Sequence, residues 1–193
     1  MSADWPVTLR GVTESLVTTL GPNDRWNVAA LGLQAPTDEN PIVGRTWGRT
    51  RTRRNFTERG QAVVQFTTDP MLFVEATHSI TEREEPVLAA AHAAVEIDVE
   101  RRRSGREGGT EWVDWALSPV DVTVFDREVP TTNRGYNAVV EATVAASRLD
   151  VASYDTAMLL DRLRYFESVV ERCGGPAERE AFARLDELVD ADW

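Results

Sequence analysis

Arg45-Thr-Trp-Gly-Arg-Thr-Arg-Thr-Arg-Arg-Asn-Phe-Thr-Glu-Arg-Gly-Gln-Ala-Val-Val-Gln-Phe-Thr-Thr-Asp69 opens on a β-like segment and turns at Thr50-Arg51-Thr52 into a short helical run closed by Gly60. It returns as an alternating strand from Ala62 to Phe66. Arginine and threonine crowd this stretch in a chain that is otherwise strongly acidic. A local reversal of charge marks a place to hold an anion. Threonine hydroxyls, an arginine fork and the free N–H groups of a helix N-terminus all suit a phosphate. Charge pattern alone is equally compatible with a solvated helix face paired to nearby carboxylates.

Outward from this stretch, Val12 to Leu20 and Arg25 to Leu33 read as two strands of a hairpin, joined by the turn residues Gly21-Pro22-Asn23-Asp24. Pro41 to Trp47 gives a third strand and Ala62 to Phe66 a fourth, before Asp69-Pro70 breaks the pattern ahead of Met71-Leu72-Phe73-Val74. Ile80 to Pro86 is acidic and polar, the composition of an exposed loop or a helix start. Val95, Ile97 and Val99 alternate with Glu96, Asp98 and Glu100, the period of a strand with one buried face. Ser104 to Gly109 reads as a turn, and Glu111 to Phe125 as a long strand in which Pro119 demands a bulge or an edge. Six or seven strands with hairpin connections predict a closed or partly closed antiparallel barrel.

The pattern changes near Pro130. Helical spacing begins at Asn133, a second helix runs from Tyr154 to Arg172 and ends at Gly174-Gly175-Pro176, and a third covers Ala177 to Val189. The expected organisation is therefore a mainly β domain over residues 1–130, followed by a three-helix subdomain over residues 131–193.

Composition narrows the function. The 21 basic residues are all arginine, against 32 acids, for a net charge of -11. A surface so acidic and free of lysine suits a halophilic setting, since self-repulsion is screened within about 3 Å at 1 M salt. It lacks the broad basic face that nucleic acid requires. No apolar run approaches the roughly 20 residues that cross a bilayer. Met1-Ser-Ala-Asp has no basic segment leading into an apolar one, so a soluble, cytoplasmic protein without membrane contact is expected. One cysteine and two histidines leave neither a disulfide nor a metal-ligand set.

Several strings are familiar in their order and spacing: Asn27-Val-Ala-Ala-Leu-Gly-Leu33, Thr50-Arg-Thr-Arg-Arg-Asn55, Val63-Val-Gln-Phe-Thr-Thr-Asp-Pro-Met-Leu-Phe-Val74, Asn133-Arg-Gly135, Val139-Val-Glu-Ala142 and Ala146-Ser-Arg-Leu149. Together they resemble, over nearly the whole chain, the mostly archaeal family known as domain of unknown function 447. The resemblance implies an FMN-binding split β-barrel with a helical C-terminal part, usually a homodimer with flavin near the subunit interface. It supplies no reaction, because the family is uncharacterised. It places Thr50, Arg51, Thr52 and Asn55 on the turn expected to hold the FMN phosphate. Asn27, Val28, Ala29 and Ala30 fall on the strand beside the isoalloxazine ring. Gln65, Phe66 and Thr67 fall on the returning strand, where the family more often has asparagine at the position of Gln65. Arg49 and Arg53 add charge that the family pattern does not require.

The implied protein is a flavoprotein, with an FMN-dependent oxidoreductase acting on an unidentified small molecule as the leading expectation; no catalytic residue is assigned. A flavin carrier or redox sensor, a deazaflavin-dependent reductase and an interaction module without ligand share the same cradle. Other residues carry plainer readings. Trp112 and Trp115, three apart on a strand, face opposite ways. His92 is an ordinary packed or surface histidine, Asn133 is a helix cap, and Cys173 is a packed thiol. Glu82, Glu84 and Glu85 are acids that the composition already explains.

Overall fold

The computed structural model describes residues 4–37, 41–127, 132–191 and 193. Seven strands form one antiparallel sheet among them: β1 (Val12–Leu20), β2 (Trp26–Gln34), β3 (Val43–Trp47), β4 (Gln61–Phe66), β5 (Thr81–Arg83), β6 (Ala93–Glu107) and β7 (Thr110–Val124). In space they run β1-β4-β6-β7-β3-β2, and β2 pairs back to β1, which closes a six-stranded barrel; β5 is an extra strand on β2. The helices are α1 (Arg51–Arg59), α2 (Pro70–His78), α3 (Arg134–Ala146), α4 (Thr156–Cys173) and α5 (Pro176–Leu188). This is the split-barrel architecture with C-terminal helices that the sequence implied.

Alternation drives the barrel. Val17, Leu31, Leu33, Val64, Val95, Ile97, Val113, Trp115 and Leu117 turn inward and form one buried cluster. Each such side chain contributes about 1.5–3 kcal/mol when removed from water. Trp112 lies on the outer face, as a spacing of three on a regular strand requires. The Arg45 guanidinium stacks over its ring at 4.1 Å. The bulge demanded by Pro119 is present: Glu96 pairs with Asp121 and Ile97 with Pro119, leaving Val120 as the extra residue.

Three local readings are revised by the structure. Ser104 to Glu107 belongs to β6, and the turn is Gly108-Gly109 alone, with φ of 53° and 85°. Positive φ at both central residues is what a two-residue hairpin with the right twist needs. Thr81–Arg83 is a strand rather than a loop or helix start, because Trp26–Val28 offer it an open edge. Asp69-Pro70 starts a helix instead of only breaking a strand: the Asp69 carboxylate accepts from the N–H of Met71 at 2.9 Å and of Leu72 at 3.4 Å, with Pro70 in the first turn.

The chain divides into two compact units, Met1–Thr67 with Thr81–Glu128 and Thr68–Ile80 with Val129–Trp193. The sequence-based boundary between residues 130 and 131 lies outside the described residues. In the second unit, Val74 of α2 joins the cluster of Val139, Ala142, Leu163, Val170, Phe182 and Leu185. Arg184 of α5 donates to Glu75 of α2 at 2.6 Å. Asn133 caps α3 as expected, accepting from the N–H of Gly135 at 2.8 Å. Gly135 has no room for a side chain: a Cβ there would lie 2.4 Å from the Cα of Gly174 at the end of α4. Cys173 is exposed, not packed. It occupies the solvent side of the last turn of α4, whose inner side is filled by Val169 and Val170.

An ion cluster around the buried Asp114 binds β3, β6 and β7. Asp114 is 1% exposed and accepts from Arg45 Nε at 2.6 Å, Arg45 Nη2 at 3.0 Å and Arg103 Nε at 2.6 Å. Burial opposes its charge, but the hydrogen bonds and charges of Arg45 and Arg103 outweigh it and hold the carboxyl below the usual aspartate value. A depressed folded value stabilises the fold above the unfolded aspartate pKa of about 3.9, and that contribution is lost as pH falls through the folded value. Asp114→Asn should therefore destabilise by about 1.5–3 kcal/mol at pH 7, the scale of hydrogen bonds to a charged group, since the arginines left behind keep access to water. The gap from wild type should narrow in melts below about pH 4. An equal gap at both pH values would show that the carboxylate charge is not what stabilises the cluster.

Candidate functional site

The β3–α1–β4 passage supplies the site. Thr50 is the N-cap of α1, in extended backbone, and its hydroxyl accepts from the N–H of Arg53 at 3.1 Å. The N–H of Arg54 bonds to the Thr50 carbonyl at 3.2 Å. The N–H groups of Arg51 and Thr52 have no acceptor among the described residues, and no acid occupies the first turn. The helix therefore ends in open donors carrying the positive end of its dipole. Arg49, Thr50, Arg51, Arg53, Arg54, Thr57 and Glu58 line a surface pocket of about 400 Å³ at this end and along the outer face of α1.

Phe56 anchors the helix. It is buried in the barrel core with its ring edge-on to Trp115, centroids 5.4 Å apart. Asn55 is fully buried beside it, and its amide donates to Thr19 Oγ1 at 2.9 Å while its oxygen accepts from Arg54 Nε at 3.2 Å. Thr52 is buried on the same side, so Thr50 and Arg51 are left exposed at the mouth.

Two acidic residues outside the pocket lining hold its arginines: Glu82, which composition alone explains in the sequence, and Glu111, which the sequence does not single out. Glu82 of β5 forms an ion pair with Arg51 and accepts from Asn23 at 3.2 Å. Glu111, at the start of β7, pairs with Arg53 at 3.2 Å and Arg106 at 3.4 Å. Hydrogen bonding from Arg53, then its charge, then the contribution of Arg106, hold the Glu111 carboxyl below the ordinary glutamate value despite some desolvation. Arg53 also donates to the Gly48 carbonyl at 3.0 Å, and the Gly48 N–H bonds to the Glu111 carbonyl at 2.7 Å. Arg53 is thus a strut that fixes the turn into α1 rather than spare charge. The available signal for these pairs was the opposition of an arginine-rich segment to acids elsewhere, which fixes no partner.

Asn27 pairs with Thr19 on β1 and with Glu82 on β5, so Asn27, Thr19, Asn55, Glu82 and Arg51 meet at one corner of the barrel. Beyond Val28, β2 is open on one side. β5 takes Trp26–Val28 and β3 takes Leu33 and Gln34, which leaves Ala29–Gly32 without a strand partner there among the described residues. Ala29 and Ala30 are half-buried, and their small side chains keep that edge thin.

The returning strand lies elsewhere. Gln65 is fully buried, its amide donating to the Pro86 carbonyl at 2.9 Å and Thr18 Oγ1 at 3.2 Å, and its oxygen accepting from the N–H of Leu88 at 2.7 Å. It pins residues 86–88 over the outside of β1 and β4. Phe66 is edge-on to Trp5 at 6.4 Å, and Thr67 donates to the Ala90 carbonyl at 2.9 Å. The structure therefore gathers Asn27, Thr50, Arg51, Thr52 and Asn55 at one corner, with Gln65, Phe66 and Thr67 on a strand beyond β1.

No described helix is long and apolar enough to cross a membrane, and no described group of histidine, cysteine and acids has the arrangement to hold a metal. Among solved structures, an FMN-bound protein from Methanosarcina mazei is similar over 94% of this chain and 96% of its own, at 26% identity and a TM-score of 0.78. Weaker similarities include the styrene monooxygenase flavin reductase of Pseudomonas putida S12, at 10% identity over 62% of this chain and 93% of that one, with a TM-score of 0.43. An FMN-binding protein from Thermus thermophilus with bound p-hydroxybenzaldehyde is 14% identical over 65% and 81%, with a TM-score of 0.40. The family model described as protein of unknown function (DUF447), N-terminal domain, matches residues 13–126, and the one described as protein of unknown function (DUF447) matches residues 133–187. Barrel and helices are thus matched in order, and the chain belongs to the DUF447 family.

Proposed function

We propose that this protein binds FMN, with the phosphate at the N-terminus of α1 and the isoalloxazine ring along the open edge of β2, and that it acts as an oxidoreductase on a small molecule. The observation that carries the reading is the open pair of N–H groups at Arg51 and Thr52, ringed by Arg49, Arg51, Arg53 and Arg54 with no acid in the first turn. The donor set fits a dianionic phosphate monoester. The FMN-bound relative from Methanosarcina mazei supports the choice of ligand. Thr50, Arg51 and Thr52 would hold the phosphate; Asn27, Val28, Ala29 and Ala30 would border the ring; Asn55 would support the phosphate turn from beneath. Gln65, Phe66 and Thr67, which the resemblance also implied, are instead engaged with Pro86, Leu88, Trp5 and Ala90, and no ligand contact is proposed for them.

When bound, the flavin supplies the redox chemistry, accepting or giving a hydride or single electrons. The residues of this chain bind its phosphate, limit access and set the local charge. A homodimer in the cytoplasm belongs to the same proposal; the exposed Val120, Val124 and Phe125 at the end of β7 are apolar surface suited to a second copy.

Titration with FMN and riboflavin, followed by flavin fluorescence, tests the site. FMN should bind at least about 30-fold more tightly, the scale of one charge-assisted contact of about 2 kcal/mol. Equal affinities would remove the phosphate from α1. Reduction of the loaded protein and transfer to an added acceptor within seconds would establish turnover, whereas a reduced flavin that passes electrons to nothing would mark a carrier or sensor. Light scattering of the same preparation should give roughly twice the 21.5 kDa chain.

A further inference from the structure

We infer that Glu82 is a positioning residue of the phosphate pocket: it holds the Arg51 guanidinium at the open end of α1, ready to meet a phosphate monoester. The inference rests on the phosphate reading above. Glu82 sits on β5, in the ladder opposite Asn27 of β2. One carboxylate oxygen accepts from Arg51 Nη1, and the other from Asn23 Nδ2 at 3.2 Å, Asn23 lying in the turn between β1 and β2. The carboxylate is thus tethered by strand pairing and from two side chains, while Arg51 reaches to it from the first residue of a helix.

Two effects of Glu82 oppose each other. Its negative charge repels an incoming phosphate, and its hydrogen bond orders a long side chain before the ligand arrives. The repulsion acts across a partly exposed surface, where the side chains of Arg51 and Glu82 are 41% and 27% accessible, so water and salt weaken it. The ordering effect is short-ranged and survives salt. Arginine has large rotamer freedom, and fixing its fork in advance reduces what binding must order. The pair uses one of the guanidinium's N–H donors and leaves the others for the ligand. Pre-ordering therefore prevails, most clearly at high ionic strength.

The test measures FMN and riboflavin affinity in molar salt for Glu82→Gln, Arg51→Ala and the double variant, with thermal melts alongside. Glu82→Gln should weaken FMN about fivefold, leave riboflavin unchanged, and add nothing in the Arg51→Ala background. A purely structural role would lower both affinities and persist without Arg51. Asn23→Ala, which removes the second tether from an exposed turn, should shift FMN the same way by about twofold, covering the case in which Glu82→Gln loosens β5. Tighter or unchanged FMN binding in Glu82→Gln, while Arg51→Ala remains weak, would overturn the positioning role alone. Unchanged binding in Arg51→Ala would overturn the phosphate reading and this inference with it.

Discussion

Arg51→Ala is expected to weaken FMN by about 2 kcal/mol, roughly 30-fold, and to leave riboflavin affinity where it was. The size follows from losing one charged donor to a phosphate at a partly exposed helix end, where the N–H groups of Arg51 and Thr52 remain. Molar salt sharpens the measurement by suppressing diffuse attraction from the other arginines while sparing a direct contact. The choice of control depends on the structure. Arg53 carries the same charge two residues away, but it braces Gly48 and Glu111, so its removal disturbs the turn into α1 as well as the field. Arg102 is the proper control: it is exposed, forms the extra residue of the β6 bulge, and has no side-chain partner among the described residues. Its replacement by alanine should leave FMN within about twofold. Equal losses from Arg51 and Arg102 would reduce the site to a general electrostatic patch.

Phe56→Ala should produce the largest loss of stability, about 3–5 kcal/mol in a denaturant titration. Phe56 is 1% exposed, lies in the barrel core and packs against Trp115, whose indole N–H is itself tied to Thr46 at 2.9 Å. Truncation leaves a cavity between helix and barrel that neither wall readily fills. The same change should reach the site, because Phe56 is what seats α1 and thereby aims Thr50, Arg51 and Thr52. In conditions where the variant is fully folded, FMN should lose more affinity than riboflavin. Phe56→Leu, which keeps most of the volume, should cost much less. A denaturation midpoint untouched by Phe56→Ala would mean that the helix is not anchored through this ring.

Much of this protein was legible locally. The strand Val12–Leu20, the helix ending at Gly60, the inward and outward tryptophans of β7 and the cap at Asn133 all follow from side-chain period and from which groups satisfy a helix end. The ordered strings of residues were also sufficient to suggest the family. The pocket's arginines and the turn Thr50-Arg51-Thr52 could be pointed to for the same reason, since the residues that open a helix lie within a few positions of one another; that Thr50 is the cap came from the structure.

Pairing across the chain was not legible in this way. Thr81–Arg83 is too short and polar to declare itself a strand, and becomes one because β2 presents an unpaired edge. Ser104–Glu107 carries glycine and charge like a turn, yet continues β6 because β7 runs beside it as far as Gly108-Gly109. Asp69-Pro70 starts a helix that joins α3 and α5 rather than the barrel around it in sequence. Arg51 and Arg53 look alike in the sequence, but Glu82 takes one and Glu111 the other. Period, capping and charge reversal are local properties, carried by neighbouring residues wherever the chain goes. Which edge stays open and which acid meets which arginine depend on contacts between distant segments, and those are set only when the barrel closes.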